Sequence, residues 1–245
     1  MPTLFPPPPP VLAAVAGRAD TFPVRRVFCV GRNYADHARE MGKDPVRDPP
    51  FFFTKWAETV VPDGSTIPYP PATQDFQFEA ELVAAIGQAG RNITPDRALD
   101  HVWGYAAGLD MTRRDLQQQA RAAGRPWDTG KNVEFSSPLG SLHPVADLGH
   151  PAKGRLTLTV NGAVRQETDI ADLIWPVADI VAFLSELYRL QPGDLIYTGT
   201  PARVGPVWPG DTLVTTIEGL TPLRVRIGAA ESDKPEPKHQ TQAAE

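Results

Sequence analysis
A chain of 245 residues with 41% hydrophobic content can bury a sizeable core, and a formal net charge of −5 with no long basic run or basic-aromatic stripe excludes a nucleic-acid surface. No stretch approaches the ~18 consecutive apolar residues of a membrane span, and the start has neither the basic nor the apolar region of a secretory signal. The single cysteine, Cys29, cannot form an internal disulfide and reads as a small core residue, so a cytoplasmic protein is expected.

Pro6 to Pro10 predict a short extended polyproline lead-in, and residues 1–24 read as an N-terminal arm to a body spanning 25–228. The body opens with a predicted strand at 27–30, and the segment from Tyr34 to Met41 is expected to be helical. Residues 79–86 predict a strand that is apolar at both parities beyond its first acids, which places it inside the fold. A helix is expected to begin at Thr94-Pro95, with proline in the first turn. Leu156 to Val160, Asn161-Gly162 and Ala163 to Gln166 form a strong hairpin signal, because Asn-Gly accepts the positive φ angles of a type I′ turn. Val177, Ile180, Val181, Leu184 and Leu187 fall at helical spacing between Pro176 and Pro192-Gly193. Further strands are predicted at 195–198, 212–217 and 223–227, followed by a polar tail over 229–245 that is expected to be disordered. The sum is a mixed α+β, strand-rich fold punctuated by 27 prolines and 20 glycines. There is no internal repeat and no glycine-rich phosphate loop, so nucleotide cofactors are not indicated.

Glu79-Ala80-Glu81 and Asp110 offer carboxylates from two core-like segments. In an extended strand residues 79 and 81 share one face with a repeat of roughly 7 Å, which suits two oxygen ligands of one hard divalent cation. Taken alone, Glu-x-Glu fits an ordinary solvated strand face as well. His37 and Glu40, three apart on a helix, either form a general-base pair or are incidental surface neighbours. Lys131, in a polar stretch from Trp127 to Gly140, either neutralises a developing oxyanion or is a solvated loop lysine.

In combination these residues resemble a known family. Gly31-Arg32-Asn33-Tyr34-x-x-His37-x-x-Glu40, Phe51-Phe52-Phe53-x-Lys55, Glu79-x-Glu81, Gly108-x-Asp110-x-Thr112-x-Arg114-Asp115-x-Gln117, Lys131 and Thr198-Gly199-Thr200-Pro201 are similar, in order and spacing, to the motifs of the fumarylacetoacetate hydrolase superfamily. The likeness covers about 25 to 227 and is strongest to the branch that cleaves fumarylpyruvate. It implies a rolled β-sandwich with few helices, like the family's C-terminal domain, usually a homodimer. It also implies Glu79, Glu81 and Asp110 as ligands of Mg²⁺ or Mn²⁺, with Ca²⁺ accepted by the same oxygens. His37 and Glu40 become the water-activating dyad of a segment that orders over substrate, and Lys131 the positive group beside the reacting carbonyl. Arg114, Gln117, Lys55, Thr200 and Arg32 become candidate substrate contacts, Arg114 above all because guanidinium pairs well with carboxylate. The implied activity is metal-dependent hydrolysis of a carbon–carbon bond in a 2,4-dioxo acid: fumarylpyruvate and water to fumarate and pyruvate, in aromatic catabolism of the gentisate type. Acylpyruvate hydrolysis, oxaloacetate decarboxylation and oxaloacetate keto–enol tautomerisation are the alternatives that share the same centre.

Three departures from the family pattern bear on substrate choice rather than reaction class. Gln77-Phe78 precedes Glu79 where other polar residues are usual, Trp56 follows Lys55 where proline is common, and Asn132-Val133-Glu134 follows Lys131 in place of Gly-Phe-Asp.

Overall fold
The computed structural model describes residues 3–35 and 49–230. The strands, in chain order, begin with β1 (Val11–Ala14), β2 (Thr21–Val24), β3 (Arg26–Gly31), β4 (Phe51–Lys55), β5 (Val60–Pro62) and β6 (Thr66–Pro68). They continue with β7 (Phe76–Phe78), β8 (Ala80–Ile86), β9 (Val102–Leu109), β10 (Thr112–Arg113), β11 (Ser137–Leu139) and β12 (His143–Pro144). The last are β13 (Arg155–Val160), β14 (Ala163–Asp169), β15 (Asp194–Tyr197), β16 (Gly205–Pro206), β17 (Thr212–Ile217) and β18 (Leu223–Gly228).

Among the described residues the larger sheet runs β4-β3-β15-β8-β9-β11-β5, with β12 added beside β9. It is parallel at β3/β15 and β5/β11 and antiparallel elsewhere, a mixed sheet. A second sheet runs β14-β13-β17-β18-β6, and β10-β7-β16 form a small ribbon beside the acidic residues.

The period of two along β8 explains how the layers assemble. Leu82, Ala84 and Ile86 join Leu156, Leu158, Leu213 and Val225 of the second sheet in the main core. Val83 and Ala85 point the other way and pack with Val27, Cys29, Leu195 and Tyr197. Ala13, Val15 and Phe22 cover that second cluster, so residues 11–24 of the expected arm fold as a hairpin onto the body. Every residue of β8 is buried, as its apolar run predicts, and truncating Leu82 to alanine costs about 2–5 kcal/mol.

The Asn161-Gly162 hairpin forms with φ of 52° and 82° at its two central residues, the left-handed values of the expected turn. The helix Val177–Leu187 also forms, burying Val177, Ile180, Val181 and Leu184, but Leu187, expected on the same stripe, ends the helix exposed. The helix at Thr94-Pro95 is one short turn, Pro95–Ala98, continued by a tighter turn at Leu99–His101. Among the elements that the sequence reading did not name are β9, the helix Arg114–Ala122 and the short helix Asp128–Lys131. β9 reads VWGYAAGL, poor in β-branched residues, and its two glycines lie against tight neighbours. A Cβ on Gly108 would meet Val83 Cγ2 at 2.5 Å and Tyr197 Cε1 at 2.7 Å. Beyond Ala35 the helix expected to reach Met41 lies outside the described residues, as does the tail from 231 on. No described helix is long and apolar enough to cross a membrane.

Candidate metal centre and substrate cavity
β8 and β9 run antiparallel with Ala80 opposite Leu109. Their next pair outward is therefore Glu79 and Asp110, and the Asp110 amide donates to the Glu79 carbonyl at 2.8 Å. Glu81 has the parity of Val83 and Ala85, so it faces away from the sandwich core and toward the same end as the other two acids. The three carboxylates each offer an oxygen within 4.8 Å of the others, and all three residues are buried.

Burying three acids together demands positive charge. Lys131 Nζ donates to Glu79 Oε2 at 2.7 Å and to Asp110 Oδ2 at 2.6 Å. Lys55 Nζ donates to Asp110 Oδ1 at 2.7 Å and to the carbonyls of Met111 and Ser136. The Arg114 guanidinium pairs with Glu79 through Nη2 and is held by Gln77 Oε1 at 2.9 Å and by Gln117 Oε1. Burial alone would lower the Lys131 ammonium, but Asp110 and Glu79 raise it, and the net direction is up. Glu81 is different. Its one hydrogen bond among the described residues comes from the Gly199 N–H at 2.7 Å. Burial, then the charges of Asp110 and Glu79, push its carboxyl well above the usual range, with the Gly199 bond opposing. A set of hard oxygen donors, one of them short of positive partners, is the donor chemistry that fits a divalent cation such as Mg²⁺, Mn²⁺ or Ca²⁺.

The backbone that carries these groups is specialised. Gly199 has φ of +105°, and a Cβ there would lie 2.7 Å from Asn33 Cβ, so glycine lets the Thr198-Gly199-Thr200 turn bring its amide to Glu81. The Asn33 side chain closes that turn by donating to the carbonyls of Thr198 and Trp175 at 2.8 and 2.9 Å and accepting from the Trp175 amide at 2.7 Å. Gln166 accepts from the Ala80 amide at 3.0 Å and donates to Thr200 Oγ1 at 2.9 Å, tying β14 to both sides of the centre.

Glu79, Arg114, Gln117, Lys131, Thr200 and Arg32 line one narrow cavity of about 20 Å³. The sequence candidates it brings together are thus Arg114, Gln117, Thr200, Arg32 and Lys131. Lys55 lies beneath Asp110 at 3% exposure and does not line that cavity, which gives it a supporting position and not an open one. His37 and Glu40 lie outside the described residues. Gln166 and Gly199 carry hydrogen bonds that sequence reading did not assign. Gln166 carried no sequence signal, since an uninterrupted Asn-Gly hairpin would set Arg165 opposite Leu158, and it is the irregularity between Leu158 and Thr159 that brings the Gln166 amide to the inward position.

Comparison with known proteins places this geometry among relatives. The family model described as fumarylacetoacetate (FAA) hydrolase C-terminal matches residues 26–228. A protein of Ralstonia sp. named fumarylpyruvate hydrolase is 48% identical over 181 residues, 74% of this chain and 94% of that one. The mitochondrial oxaloacetate tautomerase FAHD1 of Homo sapiens is 37% identical over 212 residues, 86% of this chain and 93% of that one. The crystal structure of fumarylpyruvate hydrolase from Pseudomonas aeruginosa in complex with Mn²⁺ and pyruvate has a TM-score of 0.91 and 51% identity, covering 93% of this chain and 100% of that one.

Proposed function
The chain belongs to the fumarylacetoacetate hydrolase family, and from that premise we propose that it hydrolyses a carbon–carbon bond in a 2,4-dioxo acid, converting fumarylpyruvate and water to fumarate and pyruvate. The observation that carries this reading is the buried trio Glu79, Glu81 and Asp110, with oxygens within 4.8 Å of one another, in a chain about half identical to proteins named for that reaction. We further propose Mg²⁺ as the working ion and a cytoplasmic homodimer as the working form; the oxygen donor set supports the first and the family resemblance the second.

Glu79, Glu81 and Asp110 would hold the divalent cation. When bound, such an ion supplies Lewis acidity toward the oxygens of an α-keto acid. The protein's own groups do the rest. Lys55 and the Gly199 amide fix the orientation of Asp110 and Glu81. Arg114, held by Gln77 and Gln117, presents a guanidinium to the substrate carboxylate at the pyruvyl end. Thr200, itself fixed by Gln166, offers a hydroxyl on the same wall. Lys131 donates to the acyl carbonyl oxygen as it gains charge.

The resemblance gives His37 and Glu40 the task of taking a proton from water. The water oxygen then bonds to the acyl carbonyl carbon. The bond from that carbon to the neighbouring methylene breaks, and its electron pair leaves on the pyruvyl fragment as an enolate. A proton returned to the methylene carbon completes pyruvate, and the acyl fragment departs as fumarate.

The test is a spectrophotometric comparison of fumarylpyruvate, acetylpyruvate and oxaloacetate with Mg²⁺, with Mn²⁺ and with EDTA. The reading expects fumarylpyruvate to be cleaved fastest and EDTA to stop the reaction. A rate on oxaloacetate far above the other two would overturn it in favour of decarboxylation or tautomerisation.

A further inference from the structure
The narrow cavity at the acids is too small to hold a whole dioxo acid. A larger one of about 540 Å³ lies directly beside it, with Arg32, Phe53, Trp127 and Lys131 lining both. The larger cavity lies between β4, which contributes Phe51 to Thr54, and the loop from Arg125 to Asp128 that joins the helices Arg114–Ala122 and Asp128–Lys131. Phe51 and Trp127 meet edge to face with centroids 5.3 Å apart. The Arg32 guanidinium lies over both, 5.1 Å from the Phe51 centroid and 6.0 Å from that of Trp127.

Charge within the cavity is asymmetric. Among the described residues its charged walls are Arg32, Arg125 and Lys131 against the acid Asp128, with Lys131 already engaged by Glu79 and Asp110. Arg32 and Lys131 belong to both cavities, whereas Arg125 lines only the larger one and so stands apart from the narrow cavity at the acids. The backbone holds that residue in place, since its amide donates to the Ala120 carbonyl at 2.8 Å.

Resting on the functional reading above, we propose that this cavity is the acyl subsite and that Arg125, with Arg32 at the junction, selects acyl groups ending in a carboxylate. With the α-keto acid end at Glu79, Glu81 and Asp110, the acyl end has room in this adjoining cavity, along the aromatic walls. A planar unsaturated four-carbon chain suits Phe51, Phe53 and Trp127, and its terminal carboxylate meets a guanidinium that the pyruvyl end does not use. Arg125 then distinguishes a dicarboxylic acyl group from a neutral acetyl group, which leaves the same subsite unfilled. The discrimination comes from one charge-assisted contact and not from the reacting centre.

The test compares fumarylpyruvate and acetylpyruvate on the wild type, Arg125→Gln and Arg125→Lys. Arg125→Gln is expected to lower kcat/KM for fumarylpyruvate by about 10- to 100-fold, mainly through KM, while acetylpyruvate turnover stays within about twofold. Arg125→Lys is expected to recover part of the loss. Equal loss on both substrates, or no change on either, overturns the subsite. A wild type that cleaves neither dioxo acid overturns the functional reading instead, and the two failures are told apart by the wild-type rates alone.

Discussion
The Lys55 ammonium lies 2.7 Å from Asp110 Oδ1, and the carbonyls of Met111 and Ser136 at 3.2 and 2.8 Å accept from the same nitrogen. Three acceptors match the three protons of an ammonium, so Lys55 has nothing left to offer a substrate. It acts by holding Asp110. Lys55→Met removes one partner of a buried pair and should cost about 3–5 kcal/mol of stability. At saturating metal KM should change little, while half-saturation by Mn²⁺ moves to higher concentration. Thermal unfolding with a Mn²⁺ titration of activity checks this; a raised KM at saturating metal would indicate direct substrate contact.

Gly199→Ala should be costly for two separate reasons. The position has φ of +105°, and the added methyl would sit 2.7 Å from Asn33 Cβ. The strain of the backbone alone is about 1–3 kcal/mol. Because the Gly199 amide is the hydrogen bond to Glu81, metal affinity should fall together with stability. Denaturant unfolding and calorimetric Mn²⁺ binding on the same variant check both effects.

Much of this arrangement could be read from the chain. The strand at 212–217, the Asn161-Gly162 turn and the helix 177–187 carry their periods and punctuation openly. The acid trio was visible as a motif because period-two spacing puts residues 79 and 81 on one face. What stayed hidden is polar or small where the usual signals are apolar. The helix Arg114–Ala122 buries Arg114, Gln117 and Ala120 at helical spacing, a stripe that faces a charged site and so lacks hydrophobic periodicity. β9 is rich in alanine and glycine because Gly108 sits against Val83 and Tyr197. The sequence reading assigned Arg125 no role, and it is the position of its loop across from β4 that makes it a neighbour to the site.

Two departures from the family pattern turn out to be partners. The Trp56 amide donates to Asn132 Oδ1 at 2.9 Å, linking the residue after Lys55 to the residue after Lys131. Proline at 56 would have no N–H to give, so the asparagine acceptor and the non-proline residue belong together. Asn132→Ala should cost about 0.5–1.5 kcal/mol. It should also lower kcat more than it raises KM, because both lysines contact Asp110. Steady-state kinetics with denaturant unfolding would show this; unchanged kcat would separate the link from the site.

Acid should weaken the fold through His143. Its Nε2 accepts from the Thr221 amide at 3.0 Å, a role that the protonated ring cannot keep. Burial lowers its pKa below the ordinary 6.5, with Asp147 opposing. The unfolded chain therefore binds the extra proton more readily. The contribution is present above about 6.5 and is lost as pH falls through the lower folded value. Urea unfolding at pH values either side of 6.5 should show that slope in the wild type and less of it in His143→Asn.

Calorimetric titration of Mn²⁺ into the wild type and into Glu81→Ala tests the metal centre most directly. One ion per chain in the wild type, with binding lost in the variant while the fold is retained, is the expected result. Undiminished binding by Glu81→Ala, or no binding by the wild type, would contradict a centre built on Glu79, Glu81 and Asp110.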